Sequence, residues 1–171
     1  MNKEFLQSLR EQIKSGTVTE QEPMSRHTSF SIGGPADVFV QPATREEIKN
    51  AIFCAKEAGV PFFVMGNGSN LLVSDEGFRG MIIQIGKNFQ EISVQDTVIE
   101  VQAGALLSRT ARAAWNAGLT GFEFAAGIPG TTGGAVAMNA GAYGGEIKDV
   151  RLDAQVLTQD GEFLTLTAEE L

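Results

Sequence analysis

Glycine is concentrated in one stretch of this chain, and that stretch restricts how the chain can fold. Eight of the 20 glycines lie between Gly121 and Gly145. Ordering so many glycines costs backbone entropy, and their absent side chains leave little material for a core. A ligand that binds only the ordered state would offset that cost. The stretch therefore predicts a backbone that lies flat against a large planar ligand and its diphosphate.

A flexible linker is the alternative interpretation of this stretch. Gly/Ser linkers are polar, whereas Ile128, Val136, Met138 and Tyr143 are interspersed among these glycines. The stretch also has no Gly-Lys-Ser/Thr ending, so it does not match the P-loop of nucleoside triphosphate-binding proteins. These features favour a ligand-binding backbone over a linker.

The charge and hydropathy of the chain argue against nucleic acid and membranes as its partners. The 171 residues carry a formal net charge of -8, with a pI near 4.7. Attraction to nucleic acid or to an anionic membrane is therefore not expected. No apolar run reaches the roughly 18 residues that span a bilayer, and the N-terminal segment mixes charged with apolar residues, unlike a signal peptide. An anionic small molecule would have to be held by local donors.

Cysteine and histidine are scarce in this sequence. Cys54 is the only cysteine, so no internal disulfide can form, which fits a cytoplasmic location. Its position in a predicted helix suggests a small packed residue. His27 is the only histidine and is interpreted as structural or exposed. The sequence therefore predicts no metal site and no Ser-His-Asp arrangement.

Clear signals in the first half predict a strand–helix–strand unit. Residues 36–41 form a predicted strand. Thr44 and Glu47 then have the spacing of a capping box at a helix start, and Gly59 ends that helix. Residues 62–65 follow as a short buried strand.

Weaker periodic patterns predict the remaining elements. Helical spacing of apolar residues predicts an amphipathic helix at 3–14, followed by a polar loop at 16–25. Alternation and turn signals predict strands at 71–73, 81–85, 91–94 and 98–103, a helix at 106–117 with Trp115 in its apolar stripe, and a hairpin around Asp160-Gly161.

The last residues contain a second capping-box pattern. Thr167 and Glu170 have the spacing found where a helix begins. Two interpretations stay open: a frayed C-terminal turn, or a natural polypeptide that continues beyond Leu171.

A shorter glycine motif, the first along the chain, follows the predicted strand at 62–65. It consists of Met65-Gly66-Asn67-Gly68-Ser69-Asn70-Leu71. Two glycines one residue apart let the backbone turn tightly, and consecutive N–H groups in such a turn form an anion-binding nest. Leu71 stands where the dinucleotide-binding fingerprint has its third glycine, so the motif departs from that fingerprint. The loop suits a pyrophosphate held without lysine, with an ordinary surface turn as the alternative.

A third segment precedes the first predicted strand. It contains Arg26-His27-Thr28-Ser29-Phe30 and Ile32-Gly33-Gly34-Pro35-Ala36. Together and in this order, the three motifs resemble the family of UDP-N-acetylenolpyruvoylglucosamine reductases, also called UDP-N-acetylmuramate dehydrogenases. The resemblance covers about residues 24–150. Each motif alone is weak to moderate, whereas the combination is highly specific.

The resemblance implies a fold and a domain organisation. Members have the α+β FAD-binding fold of vanillyl-alcohol oxidase and p-cresol methylhydroxylase, with FAD lying between two subdomains. We therefore expect an N-terminal helix within residues 1–20, one FAD-binding subdomain at 21–90 and a second at 91–171. The substrate-binding third domain of the family is expected to be absent from these residues.

The resemblance also implies which residues contact FAD. The pyrophosphate is expected on the first glycine loop, with Thr28, Gly33 and Gly34 nearby. This loop comprises Met65, Gly66, Asn67, Gly68, Ser69, Asn70 and Leu71. The flavin is expected against Gly127, Ile128, Pro129, Gly130, Thr131, Gly133, Gly134, Asn139, Gly141, Ala142 and Tyr143.

The reaction implied by the resemblance is a reduction in peptidoglycan precursor synthesis. Hydride from NADPH passes through FAD to the double bond of UDP-N-acetylglucosamine enolpyruvate, giving UDP-N-acetylmuramate. In the family a serine donates the proton, and an arginine and a glutamate stabilise the intermediate. These residues are expected after Leu171, so no catalytic residue is assigned here and little turnover is expected from these residues alone.

Two alternatives remain open. The chain could belong to a different FAD oxidoreductase of the same fold, or it could be a non-catalytic nucleotide-binding module.

Overall fold

The computed structural model describes residues 2–171, whose contacts divide into two units. The first unit extends to Asn88 and the second begins at Phe89. Each unit combines helices with small sheets. The α+β composition implied by the family resemblance is therefore confirmed.

The first unit is built on one four-stranded sheet with the strand order β1-β2-β4-β3. β1 runs antiparallel to β2, whereas β2, β4 and β3 run parallel. The elements are α1 (Lys3–Gln12), β1 (Thr17–Pro23), β2 (Pro35–Gln41), α2 (Arg45–Glu57), β3 (Phe62–Met65) and β4 (Phe78–Gln84), with a short 3-10 helix at Met24–Arg26. The predicted strand–helix–strand unit, β2-α2-β3, is confirmed.

The predicted polar loop at residues 16–25 is wrong, because most of it forms β1. This strand lies at the sheet edge and pairs with β2 from Thr17 to Pro23. An edge strand needs few buried side chains, and none of the β1 residues is fully buried. The polar composition therefore concealed a strand that is fixed by its partner.

The capping box predicted for α2 is only half formed. Thr44 accepts a hydrogen bond from the Glu47 N–H at 3.1 Å, as predicted. The Glu47 carboxylate instead accepts N–H groups from Lys14 (2.8 Å) and Ser15 (2.6 Å) near the end of α1, and from Ala43 (2.8 Å). This buried carboxylate therefore ties α1 to the start of α2.

The end of α2 follows the predicted glycine stop. Gly59 has a φ of +63°, and its N–H donates to the Lys56 carbonyl at 3.1 Å. The next N–H, from Val60, donates to the Ala55 carbonyl at 2.8 Å. This pair of bonds is the Schellman arrangement, which requires left-handed backbone at the glycine.

Replacing Gly59 with alanine should destabilise the chain by about 1 kcal/mol, because left-handed backbone is unfavourable for L-residues. A Cβ at Gly59 would meet no atom within 4 Å, so the effect comes from the backbone alone. Urea unfolding of Gly59→Ala measures it. Gly86→Ala is the control, since its Cβ would meet Gln84 no closer than 3.8 Å. A Gly59→Ala variant as stable as the wild type would contradict the prediction.

The segment between β3 and β4 contains no strand, so the strand predicted at residues 71–73 is wrong. Leu71 and Val73 are half-buried against a core cluster that includes Met24, Phe39 and Ile82. Leu72 between them is 75% exposed. The alternation that predicted a strand therefore reflects an irregular segment packed on the sheet. β3 is an edge strand with an exposed centre, so its predicted full burial is also wrong.

The second unit contains three antiparallel strand pairs: β5 with β6, β7 with β8, and β9 with β10. Its elements are β5 (Ile92–Gln95), β6 (Val98–Val101), α3 (Leu107–Asn116), α4 (Thr132–Ala137), β7 (Gly141–Ala142), β8 (Gly145–Glu146), β9 (Asp153–Leu157) and β10 (Phe163–Thr167), with 3-10 helices at Glu123–Gly127 and Ile147–Asp149. The helix predicted at 106–117, which is α3, and the hairpin around Asp160-Gly161 are confirmed.

The core of the second unit lies between α3 and the glycine-rich stretch. Leu107, Ala125, Ala135 and Ile147 are buried together. Trp115 is 67% exposed, so it lies outside the core although the predicted apolar stripe of this helix included it. The Arg112 guanidinium lies 4.6 Å from the Trp115 ring centroid, which accounts for an aromatic side chain on the outer face.

Candidate functional site

The first glycine loop, Gly66–Leu71, follows β3 and is held by the segment before β2. The Ser29 N–H donates to the Gly68 carbonyl at 3.2 Å. Gly68 is buried, has a φ of +69°, and a Cβ there would lie 1.9 Å from the His27 carbonyl oxygen. Only glycine fits this position without a backbone shift.

The side chain of His27 holds in place the carbonyl group that lies against Gly68. Its ring stacks on Phe39 with the centroids 4.1 Å apart, and Nε2 lies 3.0 Å from a Glu22 carboxylate oxygen. The next residue, Thr28, is buried, and its hydroxyl donates to the Ile32 carbonyl at 2.9 Å. The histidine therefore has a structural role, as the sequence suggested: it fixes the backbone against which Gly68 packs.

The Gly33-Gly34 turn has a packing reason for both glycines. The Gly34 N–H donates to the Ser74 carbonyl at 2.8 Å. A Cβ at Gly34 would lie 2.0 Å from the Asp75 carbonyl oxygen, and Gly33 has a φ of +120°. These two glycines let the turn lie directly on the segment between β3 and β4. Their predicted proximity to a cofactor stays a prediction.

The first glycine loop presents unpaired backbone donors. The N–H groups of Gly66, Gly68 and Ser69 find no acceptor within residues 2–171. The Gly66 carbonyl accepts a hydrogen bond from the Gln84 side chain at 3.1 Å, which orients that peptide. The loop contains no lysine or arginine. Its donors therefore suit an anion that is bound by amide dipoles.

In the second glycine segment, residues 127–145, some backbone N–H groups are hydrogen-bonded within the protein and others are not. At the start of α4, the Thr132 and Gly133 N–H groups donate to the Ala105 and Ala103 carbonyls, each at 2.8 Å. A Cβ at Gly133 would also lie 2.7 Å from the Ala103 Cβ. Gly133 is thus required for close packing. By contrast, the Gly134 N–H finds no acceptor in the described chain.

The β7–β8 hairpin turns through two residues with left-handed backbone. Tyr143 has a φ of +53° and Gly144 a φ of +86°. The Tyr143 side chain is 100% exposed, and the nearby Met138 is 61% exposed. Large exposed side chains such as Tyr143 provide a surface for a flat aromatic ligand.

The base of this hairpin is held by polar contacts that the sequence did not reveal. The Asn139 side chain donates to the Glu146 carboxylate at 2.7 Å and accepts the Lys148 N–H at 2.9 Å. The bond from Lys148, and next the bond from Asn139, keep the pKa of the Glu146 carboxyl below its usual range. In the sequence, the signal for these contacts was an asparagine and a glutamate, Asn139 and Glu146, that flank a glycine-containing turn.

In each unit separately, the residues suit one part of a dinucleotide. The unpaired amides supply neutral donors for a pyrophosphate, and the exposed Tyr143 and Met138 supply apolar cover for a ring. A Cβ at Gly127 or Gly144 would meet no protein atom within 4 Å, so both backbones are open to a ligand. Other sequence candidates have structural partners: Cys54 is buried and lies 3.7 Å from the Ser8 hydroxyl.

Residues 2–171 lack two further kinds of feature. No group of three His, Cys, Asp or Glu side chains there could hold a metal ion. None of the helices in that part of the chain combines the length and apolarity needed to cross a membrane.

Known proteins resemble this chain in both sequence and fold. A UDP-N-acetylenolpyruvoylglucosamine reductase from Agathobacter rectalis is 50% identical over 183 residues, which cover 100% of this chain and 58% of that protein. The crystal structure of UDP-N-acetylenolpyruvylglucosamine reductase (MurB) from Thermus caldophilus superimposes with a TM-score of 0.76 at 38% identity, covering 91% of this chain and 54% of that one. The chain thus spans just over half the length of these relatives.

A more distant structure supports the fold alone. Wild-type Physcomitrella patens BBE-like 1 superimposes with a TM-score of 0.66 at 23% identity, covering 97% of this chain and 38% of that one. The sequence prediction of a vanillyl-alcohol oxidase type of FAD-binding fold is thereby confirmed.

The family assignment rests on a match along most of the chain. The sequence pattern of the FAD binding domain matches residues 36–167, from β2 to the last residue of β10. This range includes both glycine loops and the Tyr143 hairpin. The chain belongs to the FAD binding domain family, and the relatives that it matches in sequence are UDP-N-acetylenolpyruvoylglucosamine reductases.

Proposed function

We propose that this chain supplies the FAD-binding part of a UDP-N-acetylenolpyruvoylglucosamine reductase. The reaction is the NADPH-driven reduction of UDP-N-acetylglucosamine enolpyruvate to UDP-N-acetylmuramate, a step of peptidoglycan synthesis in the cytoplasm. The observation that carries the proposal is the 50% identity to such a reductase along the whole chain. The small-molecule substrates are NADPH and the nucleotide sugar.

The first glycine loop would hold the pyrophosphate of FAD. Its unpaired Gly66, Gly68 and Ser69 amides support this assignment, since backbone N–H groups in a tight turn bind anions without a positive side chain. Asn67, Asn70, Leu71 and the preceding Met65 belong to the same proposed contact. Thr28, Gly33 and Gly34 would lie near the cofactor as part of the same binding site.

The second glycine segment would line the flavin. The open backbone at Gly127 and the unpaired Gly134 amide support contacts from the loop before α4 and from α4 itself. The exposed Tyr143 supports a contact from the hairpin. The same proposal covers Ile128, Pro129, Gly130, Thr131, Gly133, Asn139, Gly141 and Ala142. When bound, FAD supplies the relay of hydride from NADPH to the enolpyruvyl double bond.

No proton donor or intermediate-stabilising residue is proposed within residues 1–171. The roles that this chain performs are to bind the dinucleotide, orient it and cover its ring. We expect a polypeptide of these residues alone to bind FAD and to show little NADPH oxidation driven by the nucleotide sugar, because it spans just over half of its relatives.

Titration with FAD tests the proposal directly. The purified chain should bind about one FAD, with quenched flavin fluorescence and a resolved visible absorption band. The bound flavin should leave the chain on denaturation; flavin that stays attached would favour a different FAD oxidoreductase of this fold. Absence of FAD binding by the folded chain would refute the proposed function and favour a non-catalytic nucleotide-binding module.

A further inference from the structure

We propose that Glu146 is a positioning residue that aims the Tyr143 side chain at the ring of the bound dinucleotide. This inference rests on the proposed function, in which the β7–β8 hairpin contacts the flavin. Glu146 itself makes no proposed contact with the cofactor. It acts through the base of the hairpin.

The hairpin cannot hold its own geometry. Each of its strands has two residues, paired as Gly141 with Glu146 and Ala142 with Gly145. Isolated two-stranded hairpins are marginally stable even when they are longer. Tyr143 also adopts left-handed backbone, which an L-residue other than glycine, asparagine or aspartate rarely does. The turn therefore depends on contacts outside the ladder.

Glu146 supplies those contacts through its carboxylate. It accepts a hydrogen bond from the Asn139 side chain at 2.7 Å, forms an ion pair with the Lys148 ammonium group, and accepts the backbone N–H of Asp149 in a capping box. Asn139 lies just after α4, and its side-chain oxygen accepts a second hydrogen bond from the Lys148 N–H. One carboxylate thus connects the residues before and after the hairpin.

Packing does not orient the Tyr143 side chain. Its side chain is fully exposed, so no packed neighbour selects its direction. The direction of the ring is set by the backbone of the turn, and the turn is set by its base. Asn139, although predicted to contact FAD, uses both polar atoms of its side chain within this base. We therefore assign the Asn139 side chain to the same positioning role.

The test combines Glu146→Ala, Glu146→Gln, Tyr143→Leu and the double variant Glu146→Ala with Tyr143→Leu. We expect Glu146→Ala to weaken FAD binding about tenfold, or one log unit of Kd, and to raise the fluorescence of the bound flavin, since an aligned tyrosine quenches it. Glu146→Gln keeps an acceptor for Asn139 and should recover most of the affinity and quenching. Glu162→Ala, a change at an exposed carboxylate elsewhere in the unit, should behave as wild type.

The double variant separates positioning from general stabilisation. If Glu146 acts through Tyr143, the double variant binds FAD no more weakly than Tyr143→Leu alone, because coupled residues are not additive. Additive losses, or wild-type affinity and quenching in Glu146→Ala, would overturn the inference. The melting temperature of Glu146→Gln shows whether the fold is intact. If the wild-type chain binds no FAD, the proposed function fails as well, and that result comes from a separate titration.

Discussion

Gly68→Ala is expected to weaken FAD binding by about a hundredfold. The new Cβ would lie 1.9 Å from the His27 carbonyl oxygen, on backbone with a φ of +69°. His27 cannot yield easily, because its ring is stacked on Phe39 and bonded to Glu22. The loop must move instead, and the three unpaired amides move with it. Losing two hydrogen bonds to a charged pyrophosphate would cost about 3 kcal/mol, which is roughly a hundredfold in Kd.

Isothermal titration calorimetry with FAD measures this effect, and circular dichroism shows whether the variant is folded. Gly86→Ala serves as the matched control, because its Cβ would have only ordinary contacts. Near-wild-type affinity in a folded Gly68→Ala variant would contradict the proposed pyrophosphate site. Equal weakening in both glycine variants would mean that the loss is not specific to the loop.

Glu47→Gln is expected to destabilise the chain by about 2–3 kcal/mol, the loss from a buried carboxylate whose hydrogen-bonded donors are left poorly paired. Its carboxylate accepts N–H groups from Lys14, Ser15 and Ala43, and more weakly from Gly16 at 3.3 Å. The glutamine amide has one donor group that must face these donors. Urea unfolding at pH 7 measures the difference. The exposed neighbour variant Glu46→Gln should lose at most about 0.5 kcal/mol, from the helix dipole.

The Glu47 effect should disappear in acid. Burial works to raise the pKa of the Glu47 carboxyl, but the four backbone N–H donors outweigh it and hold the pKa below the usual 4.5. A carboxyl with a lowered pKa stabilises the folded state fully above its unfolded pKa. That contribution is lost as the pH falls through the folded pKa. The stability gap between wild type and Glu47→Gln should therefore be constant from about pH 6 to 8 and shrink below about pH 4.5. A gap that is unchanged down to about pH 3 would contradict this account.

Local sequence signals predicted the elements whose ends are fixed by their own residues. Thr44 and Gly59 bracket α2 because a cap and a left-handed stop act within one turn of the helix. The same holds for the hairpin at Asp160-Gly161. By contrast, β1 was predicted as a loop. None of its side chains is fully buried, so its composition carries no strand signal. Its position depends on pairing with β2, a distant partner that local patterns do not reveal.

The sequence predicted which segments form the candidate site, but not what each residue does in it. Glycine loops are visible in a sequence, but the cause of each glycine is not. Gly68, Gly34 and Gly133 are required because protein backbone or a side chain lies too close for a Cβ. Gly127 has open space around it and is available to a ligand. The supporting residues Glu146 and Gln84 were missed because their partners Asn139 and Gly66 lie seven and 18 positions away in the chain.

By itself, the sequence determined the family, the FAD-binding fold and the location of the backbone segments that lack side chains, because motif order and glycine spacing are properties of the chain alone. Only the tertiary structure decided which amides stay unpaired and which carboxylates fix the loops. That choice depends on which distant groups come within about 3 Å of one another, the range of a hydrogen bond. Such distances exist only after the chain has folded.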